Sequence, residues 1–228
     1  MRRTIAHLAL LICVPALLAA DPLKETLAAM DAASESFRSV KAKVRKASYT
    51  AVIDDETIEI GTMAMERKGG ASKGVRVRMD FTEPDVRSVA FAGKKGEIYY
   101  PKIKTVHEYD LGKHRELVES FLLLGFGTTG KQLAKDYSIE YLGKADVNSV
   151  ATEMMALTPK SKKAREQIAK VEIWIAKEGA YPIQQKFYSP SDDSNTISYS
   201  EITLNPELTD KDLALDLPAG VKREYPQK

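Results

Sequence analysis

The sequence predicts an α+β domain that is mainly β: one antiparallel sheet of about ten short strands with two or three helices. Three observations lead there. From residue 41 onward, apolar and polar residues alternate, which is the period of a half-buried strand. The alternating runs are short, and Gly, Pro and Asp pairs separate them at near-regular intervals. Two stretches instead place apolar residues three and four apart, the period of a helix with one buried face.

The elements follow in order. Asp21 and Pro22 supply an N-cap and a proline for the first helical position, and Leu23, Leu27, Met30, Ala33 and Phe37 form the stripe behind them. VKAKVRKASYTAVI and TIEIGTMAMER alternate on either side of an Asp54–Asp55 turn. In GVRVRMDF, Val75, Val77 and Met79 share one face while Arg76, Arg78 and Asp80 share the other. VRSVAFA, EIYYP and KTVHEYDL continue the meander. HRELVESFLLLGFG then puts Leu117, Phe121 and Leu124 on one helical face, and Thr128 or Thr129 caps a second short helix, KQLAKDY. Strands resume with SIEYLGK, TEMMALTP, AKVEIWIAK, YPIQQKFYS and NTISYSEITLN, with KSKKAREQI as a charged helical turn and SPSDDSN as a hairpin tip. The tail LALDLPAGVKREYPQK is polar and contains proline.

Composition narrows the function classes. The 228 residues are 43% hydrophobic and 29% charged, which suits one globular domain and not a disordered chain. The 34 basic and 32 acidic residues balance to +2, and that excess equals Arg2 and Arg3, so no basic footprint for nucleic acid exists. Arg2 and Arg3 precede an apolar run from Ile5 to Ala19 that ends in small residues, the pattern of a signal peptide over residues 1–20. Cys13, the one cysteine, lies inside that run with Leu10, Leu11 and Ile12 before it, so it is not a lipidation site. The expectation is a thiol-free, exported, periplasmic domain over 21–228.

Catalytic and metal chemistry find little support. Gly125–Lys131, GFGTTGK, has the spacing of a phosphate loop, but Gln132 stands where a Ser or Thr must hold magnesium. His107 and His114 have no His or Cys partner at metal-ligand spacing, and no G-x-S-x-G elbow supports a hydrolase. No enzyme, metal site or cofactor is expected. The informative feature is strands that are apolar on both faces. Met63 and Met65 oppose Ala64, Met155 and Leu157 oppose Met154, and Ile173 and Ile175 oppose Trp174. A sheet with one wet face alternates cleanly. Two apolar faces fit a pocket on one of them, or an ordinary core on a curved sheet.

GEIYYPKIKTVHEYDL, the Leu-rich helix before GFGTTG, and LALDLPAGV resemble the periplasmic outer-membrane lipoprotein-sorting proteins, the LolA-like family. The resemblance covers nearly all of 21–228 and rests on turn and core patterns. It implies a curved antiparallel sheet forming an incomplete barrel, with helices covering its concave side. It implies a non-enzymatic carrier whose apolar cavity takes lipoprotein acyl chains for delivery to the outer membrane. Such a carrier would meet an inner-membrane donor and an outer-membrane acceptor, with transient membrane contact. A lipid- or lipoprotein-sensing regulatory protein of the envelope, or a carrier of another lipid, is the alternative. If such an acyl cavity exists, the strands apolar on both faces place it between the concave sheet face and the helices carrying Leu27, Met30, Phe121 and Leu124, with Met63, Met65, Val77, Met79 and Trp174 as candidate walls. The family's Arg-Pro step, which latches the helical lid, is missing from GVRVRMDFTEP, so no latch residue is carried over.

Overall fold

The computed structural model describes residues 21–67 and 74–227; the expected signal peptide lies outside the described residues. α1 (Pro22–Ser36) opens on Asp21, whose carboxylate accepts hydrogen bonds from the Leu23 and Lys24 amides. β1 (Ser39–Thr50), β2 (Asp55–Arg67), β3 (Val75–Glu83), β4 (Arg87–Ala92), β5 (Lys95–Tyr100) and β6 (Thr105–Asp110) form the first meander. α2 (Arg115–Leu122) and α3 (Gly130–Asp136) interrupt the strands. β7 (Tyr137–Val147), β8 (Val150–Pro159), α4 (Lys162–Arg165), β9 (Lys170–Ala176), β10 (Pro182–Tyr188) and β11 (Ser194–Leu204) follow, and α5 (Asp210–Leu213) and β12 (Lys222–Glu224) end the chain.

All twelve strands join one curved, open sheet in the order β12-β6-β5-β4-β3-β2-β1-β11-β10-β9-β8-β7. β1 pairs with both β2 and β11, so it joins the two meanders. One pairing departs from the antiparallel expectation: β12 lies parallel to β6. The tail reaches that edge after α5 docks on β2 and β3, where Arg76 bonds the Asp210 carboxylate and Arg78 the Lys211 and Ala214 carbonyls.

α1, α2 and α3 cover the opposite face, here the inner face. Its apolar residues fall into two cores. One gathers Val40, Val44, Met63, Met65, Val75, Val77 and Phe91 with Phe37, Phe126 and Tyr199. The other packs α1, through Met30, and α3, through Leu133, onto Met155, Leu157, Val171, Ile173 and Ile175. The period-two reading of β3 holds, since Val75 and Val77 are buried inward while Arg76 and Arg78 face outward into ion pairs.

Two expectations need correction. The second face is not an apolar wall: Ala64 and Trp174 are half-buried there, Ile58 and Ile60 are exposed, and the cleft that Ala64 lines is bordered mainly by charged residues such as Lys41, Arg78, Asp80 and Asp212. The helical stripe of Leu117, Phe121 and Leu124 is also displaced. α2 ends at Leu122, and Gly125 reverses the chain in the left-handed region at φ 80°, so Leu124 lies beyond the helix. Val118 and Leu122, four residues apart, are the pair that meets the first core.

Candidate functional site: a lidded apolar face

Residues paired across the ladder build the inner face in rows. Val40, Met65, Val77 and Phe91 form one row through successive pairs, and Ala42, Met63, Met79 and Val89 form the next. The first row is closed to solvent, with Met65 at 0% and Val77 at 3% exposure, whereas Met79 and Val89 are half-buried. The inner face therefore changes along its length from a sealed core to an apolar surface that water still reaches.

The sealed part is covered by an element that is itself weakly buried. None of the eight α2 residues is fully buried, although Val118 and Leu122 rest on the first core. Phe121 reaches sideways to Phe187 of β10 in an edge-to-face contact at 6.4 Å. Segments with few buried contacts open at low free energy, which is what a lid requires. The turn after α2 is the more firmly held end. Phe126 is 1% exposed and stacks edge-to-face on Tyr199 at 5.1 Å, with Phe37 at 6.2 Å on its other side. Gly127 has φ 74°, and a Cβ there would come within 2.5 Å of the Phe37 ring.

Two polar side chains pin this turn. Arg67, at the end of β2, donates to the Gly127 carbonyl at 2.7 Å, the Ser34 carbonyl at 2.6 Å and the Phe37 carbonyl at 3.0 Å. It thereby ties the sheet, the end of α1 and the α2–α3 turn together. Burial, with the Arg38 guanidinium adding to it, pushes the Arg67 pKa down. Gln185 of β10 donates to the Leu124 carbonyl at 2.5 Å and accepts from the Tyr199 hydroxyl at 2.7 Å. Burial raises the Tyr199 pKa, so the phenol stays protonated as that donor. Neither pin was assigned from the sequence. Both were legible in principle, since Arg67 continues the Met63–Met65 stripe and Gln185 interrupts an apolar alternation between Ile183 and Phe187.

The sequence-predicted residues separate accordingly. Met63, Met65 and Val77 lie in the first core, with Met79 at its margin. Met30 and Leu124 lie in the second core, with Leu27 packed against it. Phe121 bridges toward β10. Trp174 does not join them: it pairs with Met154 and Gln184, in the register opposite to inward-facing Ile173, so it faces outward. Beside the pinned turn, a cleft of about 440 Å³ opens between α1, the turn and the β9–β10 hairpin, lined by Ala29, Ala33, Phe37, Phe126, Gly179 and Tyr181 among others. That volume lies within the range of small-molecule pockets. His107 bonds Glu224 at 3.2 Å, and neither it nor His114 hydrogen-bonds a Ser or Thr hydroxyl among the described residues. GFGTTGK is the turn joining two helices, with Thr129 capping α3.

The architecture is thus an open, curved sheet whose apolar inner face is covered by α1, α2 and α3. The chain matches the family model for the outer membrane lipoprotein carrier protein LolA over residues 57–214, more than half its length, and belongs to that family. Among solved structures it is similar to a conserved protein of Thermus thermophilus, at TM-score 0.54 and 11% identity, covering 90% of this chain and 99% of that one. It is also similar to MucB, at TM-score 0.50 and 12% identity, covering 86% of this chain and spanning 64% of MucB. No curated protein sequence matches the chain. Among the described residues, no helix is long and apolar enough to cross a membrane.

Proposed function

We propose that the protein is a non-enzymatic carrier in the periplasm that holds the acyl chains of a lipoprotein or a related lipid against the inner face of its sheet. One observation carries this reading: a sealed apolar face covered by a helix with no fully buried residue, whose following turn is held by Arg67. In the closed state, Met63, Met65 and Val77 share one core with Phe126 of the turn, and Val118 and Leu122 of α2 pack against that core. Lifting α2 exposes them, and acyl chains take the place of Val118, Leu122 and Leu123. Each CH₂ withdrawn from water contributes about 0.8 kcal/mol, so a chain of a dozen carbons offsets the loss of a few half-buried lid contacts. The cleft beside Phe37 and Phe126 is the entrance next to that core.

Arg67 acts as the latch in this scheme. Its Gly127 partner belongs to the turn that must lift, while the Ser34 and Phe37 carbonyls at the end of α1 hold the guanidinium in place, and a guanidinium fork can hold several partners at once. Release of cargo is closure of the lid, which restores these bonds. Titration of the 21–228 chain with a fluorescent acyl probe tests the reading. Saturable binding that a non-fluorescent lipopeptide displaces is expected, and absence of binding overturns it.

A further inference from the structure

The apolar inner face ends in charge. Glu59 of β2 pairs across the ladder with Lys46 of β1, and their side chains meet at 3.0 Å. Glu59 also holds Arg87, at the start of β4, whose guanidinium lies 4.4 Å over the Phe81 ring. All of these are inner-face positions. Phe81 pairs with Gly61 and Arg87, two residues from Met79 and Val89, and Lys46 pairs with half-buried Ile197. The anion is the enclosed member, with 9% of its side chain exposed, whereas 28% of Lys46 and 20% of Arg87 are exposed. Among the described residues, Glu59 is the one carboxylate paired with either cation.

From this arrangement we infer that Lys46 and Arg87 form a receptor for the anionic head of an acylated ligand whose chain lies along Met79, Val89 and Ile197. The inference rests on the carrier reading and names the class of cargo. The two cations share one directly bonded carboxylate, and Asp85, which also acts on Arg87 through space, is itself paired with Lys102, so one positive charge is in excess at the edge of an apolar surface. An ion cluster on such a face is a poor source of stability, since apolar residues of similar size commonly serve as well. Arg87 uses one of its five N–H donors on Glu59, and a guanidinium suits the paired oxygens of a phosphate or carboxylate. Glu59 then acts as a positioning residue, holding both cations upright on the sheet and moderating their pull.

Chain-matched amphiphiles below their micellar concentrations test this on the 21–228 chain: dodecyl phosphate, dodecanoate and uncharged dodecyl maltoside, each displacing a neutral acyl probe. The parent should bind the anions about tenfold more tightly than the maltoside, the low end of one charge-assisted hydrogen bond. Preference for dodecyl phosphate alone assigns a phospholipid-type head, and equal preference for dodecanoate extends the site to fatty acids. Lys46→Gln and Arg87→Gln should each abolish most of that preference and leave maltoside binding unchanged. Glu59→Gln should enlarge it, a change that a purely structural ion pair would not produce. Lys43→Gln, which removes the exposed outer-face partner of Glu201, is the control and should behave as the parent. Circular dichroism confirms that each variant is folded. An anion preference that is absent in the parent, or that survives in folded Lys46→Gln and Arg87→Gln, overturns the inference while the carrier reading stands. A parent that binds none of the three amphiphiles overturns both.

Discussion

Replacing Arg67 with Ala removes three hydrogen bonds to carbonyls of Gly127, Ser34 and Phe37, together with the cation–π contact to the Phe37 ring at 5.6 Å. A hydrogen bond to a charged group contributes about 1.5–3 kcal/mol when its partners would otherwise be stranded. Of the three, the Gly127 bond is the one that joins the sheet to the turn that lifts; the guanidinium is half-buried and the released carbonyl finds water, so this bond is worth about 1.5–2 kcal/mol to the closed state. That shifts the closed–open equilibrium toward open by about 10- to 30-fold. While the closed form dominates, apparent affinity for an acyl probe rises by the same factor, because the binding-competent fraction rises. Amide exchange over residues 115–127 should accelerate in parallel, while the paired strands β1 and β2 keep their protection. Arg67→Lys keeps the charge but loses the fork, and should fall between the two. If folded Arg67→Ala binds the probe within threefold of the parent and α2 exchanges at the parental rate, Arg67 is not a latch.

Other outcomes follow from single residues. Met79→Glu, at the half-buried margin of the first core, should leave the fold intact and weaken acyl-probe binding at least tenfold, because its charge must be desolvated under the chain, whereas Met65→Glu at a fully buried position should also unfold at lower denaturant. Tyr199→Phe strands the buried Gln185 carbonyl oxygen and should lower the unfolding free energy by about 1–3 kcal/mol in urea titrations. Gly127→Ala forces a Cβ against the Phe37 ring at a left-handed φ, and should lower Tm while raising exchange in the α2–α3 turn. The Arg87 hydrogen bond holds Glu59 below its usual value of 4.5, with Lys46 acting in the same sense and burial opposing. Its stabilisation is present above pH 4.5 and lost as pH falls below it, so Glu59→Gln should flatten the acid limb of the stability–pH curve.

The strands were the legible part of this sequence, because alternation fixes which residues share a face. Val75 and Val77 against Arg76 and Arg78 are placed as the pattern requires. Alternation does not say which face the helices cover, and Trp174 was misplaced for that reason: size and apolarity suggested a wall, while its register with Met154 and Gln184 turns it outward. The helical stripe through Leu124 failed at a glycine, since Gly125 ends α2 before the third member is reached. The roles of Arg67 and the Lys46–Glu59–Arg87 group depend on partners distant in the chain, Arg67 on carbonyls 30 to 60 positions away, which pattern alone does not supply. Their sequence signal was only a charged residue placed in an otherwise apolar register.

The central claim is that α2 is a lid over an acyl-binding face. Amide exchange of the 21–228 chain, measured with and without a saturating acyl probe, tests it most directly. The account predicts that ligand binding changes exchange over residues 115–127 and protects Met63–Met65 and Val75–Val77, with little change on the outer-face segment 210–214. A bound probe that alters the outer face and leaves α2 and those strand segments unchanged would contradict it.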